Sequence, residues 1–546
     1  MASSRHDVIT SNELSASPEA RPPLRVGVVI ESGRVPGWIG AVLSAIERAE
    51  FLELDRLFVA SATSPDRGRL ERARADARTL LYRAYERLDR RAFRAPDDAV
   101  GAVDVSGHLS REPLVNGAAP AALRELDVLL LLGGTEVGGD ALAAPRLGVW
   151  RVRFSGMDPL PERLAAPEVC EVAIEAVDET GGTIIDRSCI SVDAISLYRT
   201  RNRAGWRAAH SLIERLRDLH ARGNDGTRPL GPVAKATTVS PPTNREMLSY
   251  LGRLGSRIIA RQARSRLFRE QWFMGYRRWR SEIQPFDDMG SYKLIPTPPG
   301  RSFMDPFVVE RGGVHYVFFE DYSDRLGKAA ISVVELDDDG NPSAPRPVLE
   351  RDYHLSYPFV FSHGDELFMV PETAESGRIE LYRATAFPDR WTFDRTLIPD
   401  LTAVDATILE HDERFWLFAS VRRPRTRLSD ELSLFHADSP RGPWTPHRRN
   451  PIVRDARSSR PAGRVFEQDG SLIRPSQDCA LSYGRAVVFN RIDLLNDDEY
   501  RETAIGRIEP GWIGGNLGTH TYNRDARYEV VDGRRLVSRV HARRMR

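Results

Sequence analysis

The sequence predicts a multidomain protein of the α/β plus all-β class, in which a doubly wound, Rossmann-like parallel sheet is followed by a helical linker and a five-bladed β-propeller. Strand-like and helical segments alternate over roughly the first 130 residues of the folded chain. Helical periodicity disappears near residue 290, and from there a strand–turn–strand unit repeats about every fifty residues. We therefore expect four segments: a disordered leader at 1–22, an α/β domain at 23–220, a linker at 221–289 and the propeller at 290–546.

The α/β domain begins at "LRVGVVIES" (24–32), a continuous apolar run typical of a parallel strand that is buried on both faces. The alternating elements that follow are predicted at these positions: a helix over 36–50, a strand over 54–61, a helix over 67–93, and two helix–strand units over 121–134 and 141–156. "EVAIEAVDETGGTIIDRSCIS" (171–191) predicts an antiparallel hairpin. A helix from Ser196 to about Leu219 closes the domain.

The linker contains a stretch rich in Gly, Pro and Thr (222–243) and then a basic amphipathic helix (244–273). The apolar face of such a helix either packs between domains or lies on an anionic membrane surface. Both interpretations stay open, so peripheral membrane contact through residues 244–273 is one prediction.

The C-terminal half repeats a unit made of a strand, a polar turn and a second strand. Its copies are "MDPFVVERGGVHYVFFEDYS" (304–323), "YPFVFSHGDELFMVPETAES" (357–376), "VDATILEHDERFWLFASVRR" (404–423), "RPAGRVFEQDGSLIRPSQDC" (460–479) and the segment from "GTHTYNRD" (518–525) into "YEVVDGRR". In a propeller the first strand of each blade lines the channel and the second runs back antiparallel. The start of the first strand and the end of the second therefore share one face, which we call the mouth.

Polar and ionisable residues recur at the mouth. First strands begin with Asp305, Asp405 and His520, and second strands end with Glu320, Glu372, Arg422, Gln477 and Asp478. Clustered carboxylates raise one another's pKa, so one can stay protonated while another is ionised, as glycoside chemistry requires. We predict Asp305, Glu372 and Asp405 as catalytic residues and the other five as substrate-binding residues. For Asp478 a second interpretation stays open, in which it only caps a turn. Four aromatic residues either stack on sugar faces or fill the blades: Tyr316, Phe319, Tyr357 and Trp416.

The strands "DPFVV" and "DATI" resemble the first and third blades of propeller glycosidases of the arabinanase and xylosidase type. The resemblance implies that Asp305 is a general base and Asp405 a residue that modulates a pKa. That family has its general acid, a Glu, at the start of the fourth blade. Here Arg460-Pro461-Ala462-Gly463 stand in its place, and Glu372 in "VPETAESG" is the best substitute acid.

A longer stretch, 270–535, resembles the propeller-like N-terminal region of plant glucosamine inositolphosphorylceramide transferases and its bacterial relatives. The segments that carry the resemblance are "FREQWF", "HLSYPFVF", "VPETAESG", "GPWTPHRRNP" and "RPSQDC". It implies a part in glycan or glycolipid assembly. In the plant proteins the transferase domain is a separate one.

Residues 24–193 resemble the fold of folate-dependent formyltransferases, through "ALAAPRLGVWRVRFSG" and "DETGGTII". The family's Asn-x-His-x-Ser motif falls on Arg151, Arg153 and Ser155, and its catalytic Asp falls on Val192. An arginine can donate to an oxyanion but cannot act as a base, so we expect the fold without the activity and no reduced folate as formyl donor. Arg151, Arg153 and Ser155 are predicted to bind phosphate or carboxylate of a substrate, or else the two arginines pair with neighbouring acids.

The composition excludes several classes of function. Basic and acidic residues nearly cancel, 78 against 77, which argues against nucleic acid as the partner. The three cysteines form no metal motif and no disulfide framework, so we expect no metal and a reducing compartment. The leader lacks an apolar signal segment. These features predict a cytoplasmic protein, with attachment to the inner face of the membrane as a further option, and no cofactor.

Three hypotheses for function follow. The first is a carbohydrate-active enzyme of cell-surface glycan or glycolipid biosynthesis, whose mouth takes a sugar, nucleotide-sugar or glycolipid and uses paired carboxylates for glycosyl transfer or hydrolysis-type chemistry. The second is a sugar N-formyltransferase with a rearranged site. The third is a module that binds glycan without catalysis. The sequence favours an enzyme.

Overall fold

The computed structural model describes residues 21–60, 76–108, 121–134, 137–157, 168–223, 229–233, 240–280 and 284–539. All but the last two positions of the predicted leader, and residues 67–75 of the predicted second helix, lie outside them. The chain folds as two compact units, residues 1–257 with 424–426 and residues 258–423 with 427–546. None of the helices in the described part of the chain has the length and hydropathy needed to span a bilayer.

The N-terminal unit contains one large sheet and several helices. The strands are β1 (Leu24–Ile30), β2 (Arg34–Pro36), β3 (Leu52–Val59), β4 (Ala102–Asp104), β5 (Val128–Leu131), β6 (Val149–Ser155), β7 (Val169–Val177), β8 (Thr183–Ser191) and β9 (Gly231–Pro232). The helices are α1 (Gly37–Arg48), α2 (Leu80–Phe93), α3 (Asp140–Ala143) and α4 (Leu197–Arg222). A further helix, α5 (Asn244–Leu267), begins in this unit, and its residues from Ile258 onward belong to the C-terminal unit. The large sheet has seven strands in the order β3-β1-β5-β6-β7-β8-β9, and β2 pairs separately with β4.

Only the first part of this sheet is parallel. β1 runs parallel to β3 and β5, and β5 runs parallel to β6. From β6 onward each strand is antiparallel to the next. The prediction of a doubly wound parallel sheet is therefore wrong for the second half, and the sheet is mixed. The predicted antiparallel hairpin at 171–191 is confirmed as β7 and β8, and it extends the parallel strands at the edge of β6.

The sequence explains where these elements begin and end. β1 is the expected valine-rich strand, and Val26, Val28 and Val29 are fully buried. α4 begins where the Ser196 hydroxyl accepts a hydrogen bond from the Arg199 amide at 3.1 Å. It ends at Gly223, whose left-handed φ of 63° suits the residue that terminates a helix.

The C-terminal unit is a five-bladed β-propeller, as the repeat predicts. The strands of each blade are given from the channel outward. Blade one has β12 (Arg301–Arg311), β13 (Val314–Ser323), β14 (Lys328–Leu336) and β15 (Arg346–Leu349). Blade two has β16 (Ser356–His363), β17 (Glu366–Glu372), β18 (Ile379–Ala386) and β19 (Arg390–Ile398). Blade three has β20 (Ala403–His411), β21 (Arg414–Val421), β22 (Ser433–Ala437) and β23 (Thr445–Pro446). Blade four has an interrupted first strand, β24 (Arg460–Pro461) with β25 (Phe466–Gln468), and then β26 (Ser471–Asp478), β27 (Ala486–Leu495) and β28 (Tyr500–Ile508). Blade five has β29 (Tyr522–Arg524), β30 (Tyr528–Ser538), β10 (Phe268–Arg278) and β11 (Lys293–Ile295).

Blade five joins the two ends of this unit. β10 pairs antiparallel with β30 along its whole length, from Phe268 opposite Ser538 to Arg278 opposite Tyr528. The helix predicted over 244–273 therefore ends at Leu267, and the residues after it form a strand. Seven consecutive residues of β10, 271–277, are buried, so both faces of the segment pack, which suits a central strand better than a one-sided helix. Closure by strands from both ends holds the five blades in one ring.

Candidate functional site at the propeller mouth

Three blades turn a residue into the mouth by the same backbone feature. Asp305, Tyr357 and Asp405 lie near the start of their first strands, and all three have a left-handed φ, of 50°, 45° and 56°. Each lies at a register shift in the pairing with the second strand. A β-bulge of this kind re-aims a side chain, and a left-handed non-glycine residue costs roughly 1 kcal/mol or more. Because the same strain recurs in three blades, the backbone there is shaped for the mouth.

Asp305 is a buried carboxylate at the centre of the site. Its Oδ1 accepts a hydrogen bond from the Thr521 hydroxyl at 2.6 Å, and its Oδ2 accepts one from the Tyr357 amide at 3.3 Å. Burial raises the pKa of Asp305 to about 7; His520 opposes the shift, and Glu320, among other nearby carboxylates, adds to it. This carboxyl therefore titrates close to neutral pH.

His520 supplies a positive charge beside Asp305. Its Nδ1 contacts the Asp532 carboxylate and lies 3.7 Å from Asp305 Oδ1. Burial alone lowers the pKa of His520, but Asp532 and Asp305 outweigh it and raise the pKa to about 9. The ring stacks on Trp272, with centroids 4.0 Å apart. At neutral pH His520 is therefore a fixed imidazolium.

Three side chains of the mouth have the spacing of a metal site. One ligand atom from each of Asp305, His520 and Asp532 lies within 4.8 Å of the other two, a spacing that a metal ion could bridge. In the structure His520 Nδ1 faces the Asp532 carboxylate, and a metal would have to displace the proton from that nitrogen. The expectation that the site holds no metal stays a prediction.

Asp405 is held by Arg460, at the start of the first strand of blade four. Arg460 donates from Nε to Asp405 Oδ2 at 2.5 Å and from Nη2 to Oδ1 at 3.3 Å, a bidentate pair. The side-chain amide of Gln477 donates to Asp405 Oδ2 at 3.2 Å. Burial lowers the pKa of Arg460, but Asp405, Tyr483 and Glu372 raise it well above its usual value. Arg460 and Asp405 therefore form a buried, neutralised pair.

Glu372 lies on the other side of the same guanidinium. Its Oε2 is 3.9 Å from Arg460 Nη2, so one arginine bridges Glu372 and Asp405. Burial raises the pKa of Glu372 to about 8, with a further contribution from Asp405 and opposition from Arg460. The three predicted catalytic carboxylates thus act on one another electrostatically, and Glu372 is protonated at neutral pH.

Glu320 is also in this cluster, paired with a histidine that the sequence did not single out. His354 Nε2 lies 3.3 Å from Glu320 Oε1, and the Ala329 amide donates to His354 Nδ1 at 3.3 Å. Burial lowers the pKa of His354, but Glu320, Glu372 and Glu375 bring it above its usual value. The His354 imidazole is therefore an ion-pair partner for Glu320 whenever it is protonated.

Tyr483 is an aromatic ring beside this cluster that remains open to solvent. Tyr483 is 46% exposed, although it contacts the site on two sides. The Arg460 guanidinium lies 4.9 Å from the centre of its ring, and the His520 ring meets it edge-on at 5.4 Å. Four aromatic residues were suggested from the sequence as rings that stack on a sugar. Of these, Phe319, Tyr357 and Trp416 are buried in the blades, and Tyr316 packs beside Phe387. Tyr483 instead offers a ring face on which a ligand can stack.

Two predicted binding residues have other surroundings. Asp478 Oδ1 accepts from the Ala480 amide at 3.0 Å, and Oδ2 accepts from Arg485 at 3.2 Å and Arg507 at 2.7 Å. The bond from the Ala480 amide is the one expected of a residue that caps a turn, and the inward position is taken by its neighbour Gln477. A part for Asp478 in sugar binding stays a prediction. Arg422 is exposed just after β21 and does not join the buried cluster.

The predicted anion site of the N-terminal unit is occupied by an acid of the same sheet. Arg151 Nη2 lies 2.7 Å from Glu175 Oε2, and Arg153 Nε lies 2.6 Å from Glu175 Oε1. Glu175 is fully buried on β7, directly opposite Arg151. The alternative in which these arginines pair with a neighbouring acid is therefore the one that the structure bears out. Ser155, at the end of β6, is exposed.

Sequence reasoning did not predict six residues that the structure places at the site: Trp272, His354, Arg460, Tyr483, Thr521 and Asp532. Arg460 and Thr521 stand at or next to the start of a first strand, and the other four come from strands or loops outside the starts of first strands and the ends of second strands. A signal existed for one of them, since "VVDGRR" places Asp532 in an otherwise apolar part of β30. The others stand in ordinary loop or strand contexts.

The sequence of the propeller has known relatives. The family model described as "Glucosamine inositolphosphorylceramide transferase 1, N-terminal" matches residues 296–541. Glucosamine inositolphosphorylceramide transferase 1 of Oryza sativa subsp. japonica is 36% identical over 244 residues, 44% of this chain and 32% of the relative. The protein of the same name from Arabidopsis thaliana is 36% identical over 211 residues, 38% of this chain and 28% of the relative. The chain thus spans about a third of the length of these relatives.

Solved structures similar to this chain include glycoside hydrolases. A thermostable family-43 glycoside hydrolase aligns with 38% of this chain and 76% of its own, at 14% identity and a TM-score of 0.30. A family 117 glycoside hydrolase from Zobellia galactanivorans aligns with 48% of this chain and 90% of its own, at 10% identity and a TM-score of 0.32. Over residues 296–541, the propeller therefore resembles the N-terminal region of glucosamine inositolphosphorylceramide transferase 1.

Proposed function

We propose that this protein is a carbohydrate-active enzyme of glycan or glycolipid assembly, and that the propeller mouth binds and processes a sugar. The observation that carries the proposal is the convergence of Asp305, Glu372 and Asp405, with a guanidinium and an imidazolium, beneath an exposed tyrosine ring. The similarity of residues 296–541 to proteins named as glucosamine inositolphosphorylceramide transferases supports a sugar or glycolipid as ligand. The predicted cytoplasmic location stays a prediction.

Two carboxyl groups of different pKa supply the acid–base chemistry. Burial raises the pKa of both carboxyl groups, to about 8 for Glu372 and about 7 for Asp305, and the His520 imidazolium beside Asp305 favours the ionised form of that residue. In glycosyl chemistry Glu372 would protonate the leaving oxygen, and Asp305 would take the proton of the attacking hydroxyl. His520 stabilises the ionised form of Asp305, which keeps the base available at neutral pH.

Arg460 gives the site a different charge from that of a hydrolase with three free acids. The guanidinium neutralises Asp405 and stabilises the anion that Glu372 becomes after it donates its proton. Its planar fork can also orient a hydroxyl or phosphate oxygen of the substrate. Tyr483, directly above it, offers a face for a sugar ring.

Binding and turnover are tested separately with the full chain. Saturation-transfer NMR with methyl glucoside, N-acetylglucosamine and UDP-glucose as probes should detect a ligand, and the Tyr483→Ala variant should lose the signal. With the bound probe as donor, Glu372→Gln and Asp305→Asn should each lower turnover by roughly 100-fold or more while binding persists. Asp365→Asn, in the exposed turn between β16 and β17, is the matched control and should change neither. Absence of binding to every probe would reject the sugar site.

A second candidate is a glycan-binding module without catalysis. The observation in its favour is the same Arg460, which takes the place of the acid of the related glycosidases and ties up Asp405. Under this alternative the probes bind, no product forms, and Glu372→Gln has no effect beyond a change in affinity. Sugar N-formyl transfer has no comparable support, because Arg151 and Arg153 are both engaged by Glu175.

A further inference from the structure

Large apolar side chains are exposed at the mouth of the propeller in several separate loops. Six of them are 38–60% exposed: Leu267, Phe268, Leu326, Leu481, Tyr483 and Leu517. Single exposed leucines are ordinary on protein surfaces, so their number alone decides nothing. What distinguishes these six is their position in the fold.

The strand order places all six on the same face. Leu326 lies between β13 and β14, and Leu481 and Tyr483 lie between β26 and β27, where second strands end and third strands begin. Phe268, which starts β10, pairs with Ser538 at the end of β30. Leu517 donates its amide to the Arg534 carbonyl just before the first strand of blade five begins. Three blades and the end of α5 thus contribute apolar side chains to the mouth face.

The opposite face of the propeller carries exposed acidic residues in its turns. Its turns between first and second strands carry the exposed acids Asp365, Asp412, Glu413 and Asp469. Among the residues that the structure describes, no exposed large apolar side chain lies in such a turn. Most of the exposed large apolar side chains of the propeller therefore lie on the mouth face and the acids of these turns on the other, while Phe393 and Ile505 are exposed on outer strands.

Arginines accompany the apolar residues. Arg261, Arg264 and Arg266 occupy the last two turns of α5, where every residue from 259 to 267 is exposed. Hydrogen bonds from Arg539 Nε to the Ser265 and Phe268 carbonyls fix that end of the helix against β30. Arg325 is exposed beside Leu326. Three exposed acids of the same face pair with arginines: Glu270 with Arg534, Asp324 with Arg269 and Glu509 with Arg507. The other exposed acids of this face, Glu350, Asp352, Glu375 and Asp400, lie in the loops after β15, β17 and β19 and not beside the end of α5.

We propose that the mouth face docks on an anionic membrane surface, with the apolar residues entering the interface and the arginines of α5 and Arg325 contacting lipid phosphates. Apolar residues on separate loops around a rim suit a soft planar surface better than a single protein partner, which favours a contiguous apolar patch. Arginines beside them match the charge of anionic lipid headgroups. The proposal rests on these surface side chains and not on the chemistry assigned to the carboxylates.

Docking of this kind would bring the mouth to the headgroup layer. Tyr483 belongs both to the docking face and to the sugar site, so a sugar carried by a lipid would reach the carboxylates without leaving the membrane. The face is peripheral in this arrangement, because side chains from loops reach only the interfacial layer.

Flotation of the full chain with lipid vesicles tests the proposal. The protein should float with vesicles of phosphatidylcholine mixed with phosphatidylglycerol, bind vesicles of phosphatidylcholine alone much less, and be released by high salt. Replacing Arg261, Arg264 and Arg266 together with glutamine should lower partitioning about 100-fold. The double variant Leu326→Ser, Leu481→Ser should lower it about tenfold or more, since both leucines would enter the interface.

Matched controls come from other faces of the same unit. Arg311→Gln lies in the turn between β12 and β13, and Phe393→Ser and Ile505→Ser lie on the outer strands β19 and β28. These variants should bind vesicles like the parent protein. Circular dichroism melting of each variant establishes that it is folded. Equal binding to both vesicle types, binding unaffected by the α5 and loop variants, or no flotation at all would each overturn the proposal; in the last case an acidic protein partner would be the better interpretation of the arginines.

Discussion

Replacing His520 with glutamine tests the electrostatics of the mouth, because this imidazolium faces Asp532 and Asp305 in a buried setting. The structure places Nδ1 against Asp532 and 3.7 Å from Asp305, and the pKa rises from 6.5 to about 9. A folded-state pKa above the unfolded one stabilises the protein fully below pH 6.5, and the contribution disappears as the pH rises through about 9. At about 1.4 kcal/mol per pKa unit, the stabilisation is about 3 kcal/mol.

The variant should therefore be less stable than the parent protein by about 3 kcal/mol near pH 6, in addition to any loss of packing against Trp272. The difference should shrink by about the same 3 kcal/mol between pH 6.5 and 9, since above the folded pKa both proteins lack the charge. Urea denaturation of the full chain at several pH values measures it. His411→Gln, at the end of β20, replaces a histidine outside the mouth and is the control; its free energy of unfolding should stay close to that of the parent protein. A gap between His520→Gln and the parent protein that stays constant from pH 6 to 9.5 would refute the reasoning.

Three further predictions concern neighbouring side chains. Arg460→Leu should lower the free energy of unfolding by about 3–5 kcal/mol, because it leaves Asp405 buried without its partner, and adding Asp405→Leu should recover most of the loss in urea denaturation. Glu372→Gln should have the same free energy of unfolding as the parent protein at pH 4 and a higher one at pH 9. The reason is that the raised pKa of Glu372 makes its ionised form unfavourable in the folded state. Thermal melts at the two pH values measure this difference. Tyr483→Ala should weaken binding of a sugar probe about tenfold without changing the melting temperature, whereas Tyr483→Phe should keep affinity, since the exposed ring face is what a sugar contacts.

The propeller was predictable because its signal is local and repeated. Each strand–turn–strand copy can be recognised within about twenty residues of sequence. Because the two strands are antiparallel, the start of the first and the end of the second lie on one face. Asp305, Glu320, Glu372, Asp405, Gln477 and His520 were found in this way, and the structure brings them together. The rule does not separate Gln477, which donates to Asp405, from Asp478, which pairs with Arg485 and Arg507, because it does not fix which of two successive residues points inward.

Contacts between blades were not predictable from spacing. Arg460 meets Asp405 across 55 positions of sequence, and Thr521 meets Asp305 across 216. Tyr483 and His354 lie in loops whose sequences resemble any other polar loop. Their roles follow from the closed ring of blades, which no short segment encodes.

The errors in the rest of the fold have a similar origin. The segment after Leu267 carries arginines at a spacing that suits a helix, yet it becomes β10 because β30 supplies an edge along its whole length. In the N-terminal unit the hairpin of β7 and β8 was recognised, but its docking on β6, which makes the sheet mixed, depends on tertiary pairing.

A crystal structure of the full chain soaked with whichever glycoside probe binds in solution tests the central claim most directly. The account predicts a sugar ring stacked on Tyr483, with an oxygen within hydrogen-bond distance of the Glu372 carboxyl and a second hydroxyl facing Asp305. A sugar bound on another face of the propeller, with only water at the mouth, would contradict it.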